Sequence, residues 1–202
     1  MRSIAQLLSV VFHPIFVPTY ATMLLVWCNP FLFGHILDAD SLTILLTVVL
    51  YSIVYPLITI TLMRILNFID SYDPTDYRER ILIGIPTLFY FFWTYVVQHK
   101  SAYNEAIADI PLAAAICLAI AMVLTATKDK ISMHSMGMGA LVSTMLVLPK
   151  FSIHDLTTPF LSVLIIAGLI GSSRLYLQAH TLRQVYMGYV VGFLVQSLVF
   201  IF

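Results

Sequence analysis

Long apolar stretches alternate with short polar ones along the whole chain. Seven of the stretches are apolar enough to cross a bilayer, which takes about 20 mostly apolar residues in a helix. They lie at residues 5–28, 42–66, 81–98, 111–127, 132–149, 158–177 and 181–202. The pattern therefore predicts an all-α protein, a polytopic transmembrane helical bundle of about six to seven spans.

The first and last of these spans contain prolines and glycines that predict local structural features. Pro14 and Pro18 fall inside the first span. Because proline removes a backbone donor and clashes with the preceding turn, we expect a kink or a break there. We interpret His13, beside the two prolines, as part of an interfacial kink, with an approach to the site as the alternative. Gly188 and Gly192 in the last span form a GxxxG pair, which predicts close helix packing.

The composition agrees with a membrane protein. Sixty per cent of the residues are hydrophobic, 10% are charged, and the mean hydropathy is +0.96. Soluble domains carry about 25% charged residues. We therefore expect a multi-pass integral protein of the cell (inner) membrane, with residues 1–202 forming a single transmembrane domain. The formal charge of zero gives no general attraction to nucleic acid.

Basic residues are distributed unevenly between the two sides of the predicted bundle. If all seven segments cross, one side collects the N-terminus and residues 67–80, 128–131 and 178–180. That side has eight basic residues against two on the other, whereas acidic residues divide five to five. The eight are Arg2, Arg64, Arg78, Arg80, Lys128, Lys130, Arg174 and Arg183. Two explanations remain open: a cytoplasmic orientation of this side, or an anion-binding site on it.

Three polar clusters fall on the basic side. They read "DPTDYRER" (73–80), "KDKISMH" (128–134) and "SRLYLQAHTLRQ" (173–184). Each stands at or near a predicted helix end, where rigid helices can hold side chains that are still open to water. Their convergence on one side predicts a functional site.

The third cluster has the chemistry of a phosphate site. His180 and Gln184 are four residues apart, so on a helix they would share a face. The amide oxygen of Gln184 could then accept the Nδ1–H of His180, which leaves a lone pair on Nε2. Arg174 offers a permanent cation with a planar fork that suits phosphate. A basic imidazole beside a guanidinium favours phosphoryl transfer.

The other two clusters supply further groups. His134 could protonate a leaving oxygen, while Lys130 and Ser132 hold the phosphoryl oxygens. The start of the fifth helix adds its own positive end toward an anion. Arg78 and Arg80 interleave with acidic residues, so local ion pairing and ligand binding are both open for them.

These residues resemble the motifs of the type 2 phosphatidic acid phosphatase (PAP2) superfamily, which read K-x6-R-P, P-S-G-H and S-R-x5-H-x3-D. The third motif is reproduced from Ser173 through Arg174 to His180, with Gln184 where the aspartate stands. "ISMH" is similar to the second motif and keeps its serine and histidine. The first motif is absent as written, although "DYRERILIGIP" offers two arginines on the same side. The resemblance covers residues 73–193.

The resemblance implies a lipid phosphatase that hydrolyses a lipid phosphate monoester or diphosphate without a metal or cofactor. His180 would form a phosphohistidine, His134 would protonate the leaving alcohol, and Gln184 would orient the nucleophile. The implied phosphate-binding residues are Lys130, Ser132, Ser173, Arg174, Arg78 and Arg80. The expected partners are a phosphorylated lipid and the surrounding membrane lipids, and a homo-oligomer is compatible with this class. The alternative is a catalytically inactive PAP2-like protein that binds or transports a phosphorylated lipid.

Overall fold

The structure is a computed structural model that describes residues 2–28, 39–72, 76–101, 105–127, 129–147 and 155–201. Within these ranges the chain is helical and has no strand, which confirms the predicted all-α bundle. Lys128 and residues 73–75 of the first polar cluster lie outside the described residues. The α-helices are α1 (Arg2–Val11), α2 (Val17–Cys28), α3 (Ala39–Val49), α4 (Tyr55–Ile65), α5 (Tyr77–Lys100), α6 (Glu105–Ala126), α7 (Met133–Val147), α8 (Thr157–Tyr176) and α9 (Leu182–Val199).

Each predicted span corresponds to helical structure. Five stretches in the described part of the chain are long and apolar enough to cross a membrane: Arg2–Cys28, Asp40–Ile65, Tyr77–Lys100, Glu105–Ala126 and Thr157–Tyr176. The fifth predicted span is the shorter apolar helix α7, and the seventh is the 18-residue α9. The protein is therefore an integral membrane helical bundle.

The first span is broken where its prolines predicted. Helix α1 ends at Val11, a short 3-10 turn covers Pro14–Phe16, and α2 begins at Val17. His13 caps this turn, because its Nδ1 accepts the backbone N–H of Ile15 at 3.3 Å. The chain changes direction at this break, near the ends of other helices. The ring of His13 lies there beside the rest of the bundle.

The packing of α7 against α9 depends on glycine. A Cβ at Gly192 would overlap the backbone carbonyl of Met136, and one at Gly188 would lie 2.6 Å from the carbonyl oxygen of Ser132. Only residues without a side chain allow the two backbones to approach this closely. The close packing predicted from the GxxxG pair is confirmed, and it holds the beginnings of α7 and α9 side by side.

One end of the bundle collects the polar helix ends. The backbone N–H of Ser132, just before α7, donates to the carbonyl of Gln184 in α9 at 3.2 Å. The end of α8 reaches α1, where Arg174 contacts Ser9. Helix ends from distant parts of the sequence therefore meet at a single end, and the candidate site lies among them.

Candidate active site

Ser9 of α1 connects two of the predicted site residues. Its hydroxyl accepts a hydrogen bond from Nη1 of Arg174 at 3.2 Å, and its backbone carbonyl oxygen lies 2.9 Å from Nε2 of His134. A carbonyl can only accept, so Nε2 of His134 carries the proton and donates it. Sequence analysis missed Ser9, whose only signal is a hydroxyl residue near the polar end of an apolar run. Ser9 is buried and positions both side chains.

A hydrogen bond to Gln184 positions His180 and determines which of its ring nitrogens carries the proton. Nδ1 of His180 lies 3.2 Å from Oε1 of Gln184, and the backbone N–H of Thr181 donates to the same oxygen at 3.1 Å. A backbone N–H is always a donor, so it is the amide oxygen that faces this pair. Nδ1 of His180 must therefore donate as well, which leaves the lone pair of the neutral ring on Nε2.

The expected pairing is present, but its structural cause differs from the prediction. His180 does not share a helical face with Gln184, because α9 begins only at Leu182. Thr181 is the N-cap of α9, and its side chain accepts the backbone N–H of Gln184 at 3.4 Å. The side chain of Gln184 returns to the backbone N–H of Thr181, which completes a capping box. His180 is thus held by the helix cap rather than by helical spacing.

Cations surround the half-buried His180. Burial is the main cause that lowers the pKa of His180, and the charges of Arg174, Arg80 and Lys130 lower it further. The hydrogen bond that His180 donates to Gln184 acts in the opposite direction and raises the pKa. The imidazole therefore stays neutral, with its Nε2 lone pair available, to lower pH than an ordinary histidine.

His134 lies close to the same groups. Arg174, His13 and His180 are all near enough to act on it electrostatically. Its ring meets that of His13 edge to face, with centroids 5.4 Å apart and an interplanar angle of 87°. Both interpretations of His13 apply, because the residue caps the break in the first span and the break brings its ring against His134.

The two arginines of the first cluster have different surroundings in the structure. Arg80 is partly buried and its charge acts on His180. Arg78 is exposed, and its Nε donates to the hydroxyl of Tyr77 at 3.1 Å. Residues two apart on a helix point about 200° away from each other, so both arginines cannot face one site. Arg80 joins the cluster, and the phosphate contact predicted for Arg78 has no support in this arrangement.

The two serines predicted to bind phosphate have partners inside their helices. The buried hydroxyl oxygen of Ser132 caps α7 and accepts the backbone N–H and the hydroxyl of Ser135 at 3.3 and 3.0 Å. The hydroxyl of Ser173 donates to the carbonyl of Leu169 at 2.7 Å. Short hydroxyl side chains often bond to nearby backbone in this way. Lys130, by contrast, is exposed and its charge reaches His180. Phosphate contacts from all three remain predictions.

The fold and the site define an integral membrane protein with a cluster of cationic and histidine side chains at one end of its helices. Comparison with protein families matches residues 125–202 to the model of the PAP2 superfamily. This match confirms the resemblance predicted from the motifs, is consistent with a PAP2 superfamily member, and includes His134, Arg174 and His180. Members of that superfamily are generally phosphatases. No curated protein and no solved structure matches the chain.

Proposed function

We propose that the protein is a lipid phosphatase of the cell (inner) membrane that hydrolyses a lipid phosphate monoester or diphosphate. The observation that carries this proposal is the arrangement of His180. Its Nδ1–H is bonded to Gln184, its lone pair is on Nε2, and the charges of Arg174, Arg80 and Lys130 act on it. A neutral nucleophile beside several cations is suited to an anionic phosphoryl group.

The first chemical step forms a phosphohistidine. The Nε2 lone pair of His180 attacks phosphorus, and the bond between phosphorus and the lipid oxygen breaks. Arg174 and Lys130 balance the negative charge on the phosphoryl oxygens as the transition state forms. The positive charge that develops on the ring is stabilised by the Nδ1–H bond to Gln184.

The leaving oxygen takes a proton from His134 in this proposal. Nε2 of His134 keeps its proton on the carbonyl of Ser9, so the donor must be Nδ1 of the imidazolium. Loss of the Nδ1 proton yields the neutral, Nε2-protonated ring that the hydrogen bond to Ser9 supports. A bound phosphate dianion offsets the charge of the imidazolium before the transfer.

The second step releases phosphate. Water attacks the phosphohistidine, its proton passes to the now neutral His134, and the bond between phosphorus and Nε2 breaks. The electron pair returns to His180 and inorganic phosphate leaves. Because the site lies at helix ends rather than in the middle of the spans, water and the lipid headgroup can both reach it.

We also propose that the whole chain, residues 1–202, works as one domain. The family match covers residues 125–202, yet the site uses groups that lie before it. Ser9 contacts Arg174 and His134, and Arg80 acts on His180. A fragment limited to the matched residues would lack these groups.

Phosphate release from purified protein tests the proposal. The detergent-solubilised chain is assayed against a panel containing phosphatidate, an isoprenyl diphosphate and a phosphatidylglycerol phosphate. The wild type should release phosphate from at least one of them. His180→Asn should lower kcat by at least about 10³-fold, because removal of a nucleophile costs several orders of magnitude. His99→Asn is the matched control at the other end of α5 and should leave the rate unchanged.

The alternative is an inactive relative that binds or transports a phosphorylated lipid. The neutral Gln184 at the position of the motif aspartate favours it, because an amide cannot stabilise the imidazolium as a carboxylate does. Vanadate or lipid-phosphate binding that depends on Arg174, without any phosphate release, would support this alternative. Release that persists in His180→Asn would overturn the nucleophile assignment.

A further inference from the structure

An apolar cavity lies in the bundle beside the cationic site. His13 and Arg80 line its polar end, whereas His134, Arg174 and His180 do not line it. The cavity therefore adjoins the site through His13, whose ring meets His134, and through Arg80, whose charge acts on His180. The remaining lining comes mainly from α2, α5, α6 and α7 and is almost entirely apolar. On α5 and α6 it includes Gly84, Thr87, Phe91, Ala114, Cys117 and Ala121.

The cavity is long relative to the membrane. Its lining on α5 runs from Arg80 to Phe91, which is about 16 Å at the helical rise per residue. On α6 it runs from Thr125 to Ile110, which is about 22 Å. The hydrocarbon core of a bilayer is about 30 Å thick, so the lining on each helix is longer than half of that thickness.

The cavity is narrow where α5 meets α6. Gly84 and Met122 both line it, and a Cβ placed on Gly84 would lie 2.8 Å from Sδ of Met122. The side chain of Met122 fills the place left by the missing side chain of Gly84, so the two helices pack closely here and the cavity is constricted. A passage of this kind suits one hydrocarbon chain better than two.

Gln196 adds a polar feature to the lining. Its side chain is 2% exposed, and its Nε2 has no hydrogen-bond partner among the residues that the structure describes. Buried donors are nearly always paired, because an unpaired one loses its bond to water without a replacement. A hydrocarbon chain cannot pair this donor, so the amide is a polar position in a mostly apolar lining rather than a contact for the chain.

We propose that this cavity binds one hydrocarbon chain of the lipid phosphate, with the phosphate at His180 and the chain extending among α2, α5, α6 and α7. The headgroup position rests on the proposed function, whereas the chain position rests on the cavity itself. The constriction at Met122 admits a single chain, and the lining from Arg80 to Phe91 on α5 gives the cavity the length to hold a long one.

Photo-crosslinking tests the position of the chain without requiring turnover. The probe is hexadecyl phosphate with a diazirine at the terminal carbon, irradiated with the full-length protein in detergent. The label should fall on lining residues of α5 and α6 and be lost in Ala114→Trp, which fills the deep half of the cavity. Val123→Trp is the matched control, since Val123 is on the same helix, is 64% exposed and does not line the cavity.

A turnover comparison provides the second readout. In Ala114→Trp, kcat/KM for hexadecyl phosphate should fall by about tenfold or more, because many methylene contacts are lost. The value for butyl phosphate, too short to reach position 114, should change by less than about twofold. Cys117→Leu fills part of the same cavity with a smaller increase in side-chain size. It provides the same test if Ala114→Trp fails to fold.

Two results would overturn the proposal. One is labelling confined to lipid-facing residues such as Ile116 and Val123 and unaffected by Ala114→Trp. The other is an equal loss of turnover for the long and the short substrate in both cavity variants. If the wild type releases no phosphate from either substrate, the proposed function fails, and the crosslinking result still decides whether the chain occupies the cavity.

Discussion

Glycines have opposite surroundings in two regions of the molecule. In α7 and α9, Gly188 and Gly192 lie against the backbone of the neighbouring helix, which cannot move aside. In α5, Gly84 lies against the flexible side chain of Met122, and both residues line an apolar cavity. The same residue type is thus confined by backbone in one helix pair and by a movable side chain in the other. We call α7 and α9, which carry His134 and Gln184 of the candidate site, the closed region, and α5 and α6, which line much of the cavity, the open region.

The residues that match the family model and the residues that line the cavity are divided in the same way. The matched residues 125–202 contain the closely packed helices and the motif histidines. The cavity is lined mainly by residues before position 125. Precise placement of reacting groups needs a rigid scaffold, whereas an apolar chain needs only a space of the right width. The candidate site residues therefore need precise placement, whereas the cavity lining needs only to leave enough space.

The largest expected effect contrasts the two kinds of glycine. Gly192→Ala places a methyl group on the carbonyl of Met136 and should lower the free energy of unfolding by about 2 kcal/mol or more, because backbone must shift. Gly84→Ala should cost less than about 1 kcal/mol, since Met122 can change rotamer and alanine favours the helix. Thermal unfolding in detergent measures both.

Gly168→Ala is the control for this comparison, because nothing lies within 4 Å of a Cβ at that position. It should be neutral or stabilise the protein by about 0.5–1 kcal/mol through helix propensity. Equal losses of stability in Gly192→Ala and Gly84→Ala would contradict the division into a closed and an open region.

The next effect concerns anion binding at the end of α8, beside the closed region. Arg174→Lys keeps the charge but loses the planar fork and its contact with Ser9, so vanadate should bind about tenfold more weakly or worse. Arg183→Lys is the matched control, because Arg183 is exposed and forms an ion pair with Asp129 at 3.7 Å at the surface. Calorimetry with vanadate distinguishes them. Similar affinities for all three proteins would remove Arg174 from the anion site.

A smaller, several-fold effect is expected from Gln184→Glu. Glutamate has the same length and keeps the capping box, so the position of His180 is preserved. The added carboxylate raises the pKa of His180, and the low-pH limb of the rate profile should therefore move to higher pH. The rate on the plateau should rise because the imidazolium of the intermediate is stabilised. Loss of activity in Gln184→Glu, with activity kept in Gln184→Ala, would exclude an orienting role.

The smallest effect separates Arg80 from Arg78. Removing the charge in Arg80→Gln takes away one of the causes that lower the pKa of His180. The low-pH limb should then move upward by a few tenths of a pH unit, as expected for a partly solvated charge. Arg78→Gln should leave it in place. A shift of equal size in both variants would indicate a general effect of surface charge rather than a specific effect of Arg80 on His180.

Several features of the protein were predictable from local sequence. The spans follow from the lengths of the apolar runs, and the break in the first span follows from Pro14. The contact between His180 and Gln184 was predictable from their separation, although the helix cap rather than a helical face produces it. The close packing at Gly192 was signalled by its spacing from Gly188. Each of these depends on backbone geometry within a few residues.

The sequence by itself thus determined the helices, their breaks and the residue types available for phosphate chemistry. Only the tertiary structure decided that Ser9 contacts Arg174 and His134, and that His13 meets His134. The apolar cavity was equally invisible in the sequence. The physical reason is that apolar spans look alike in composition and periodicity, so their rotation and neighbours are set by packing over the whole bundle. A serine or a glycine acquires its role only when those neighbours are in place.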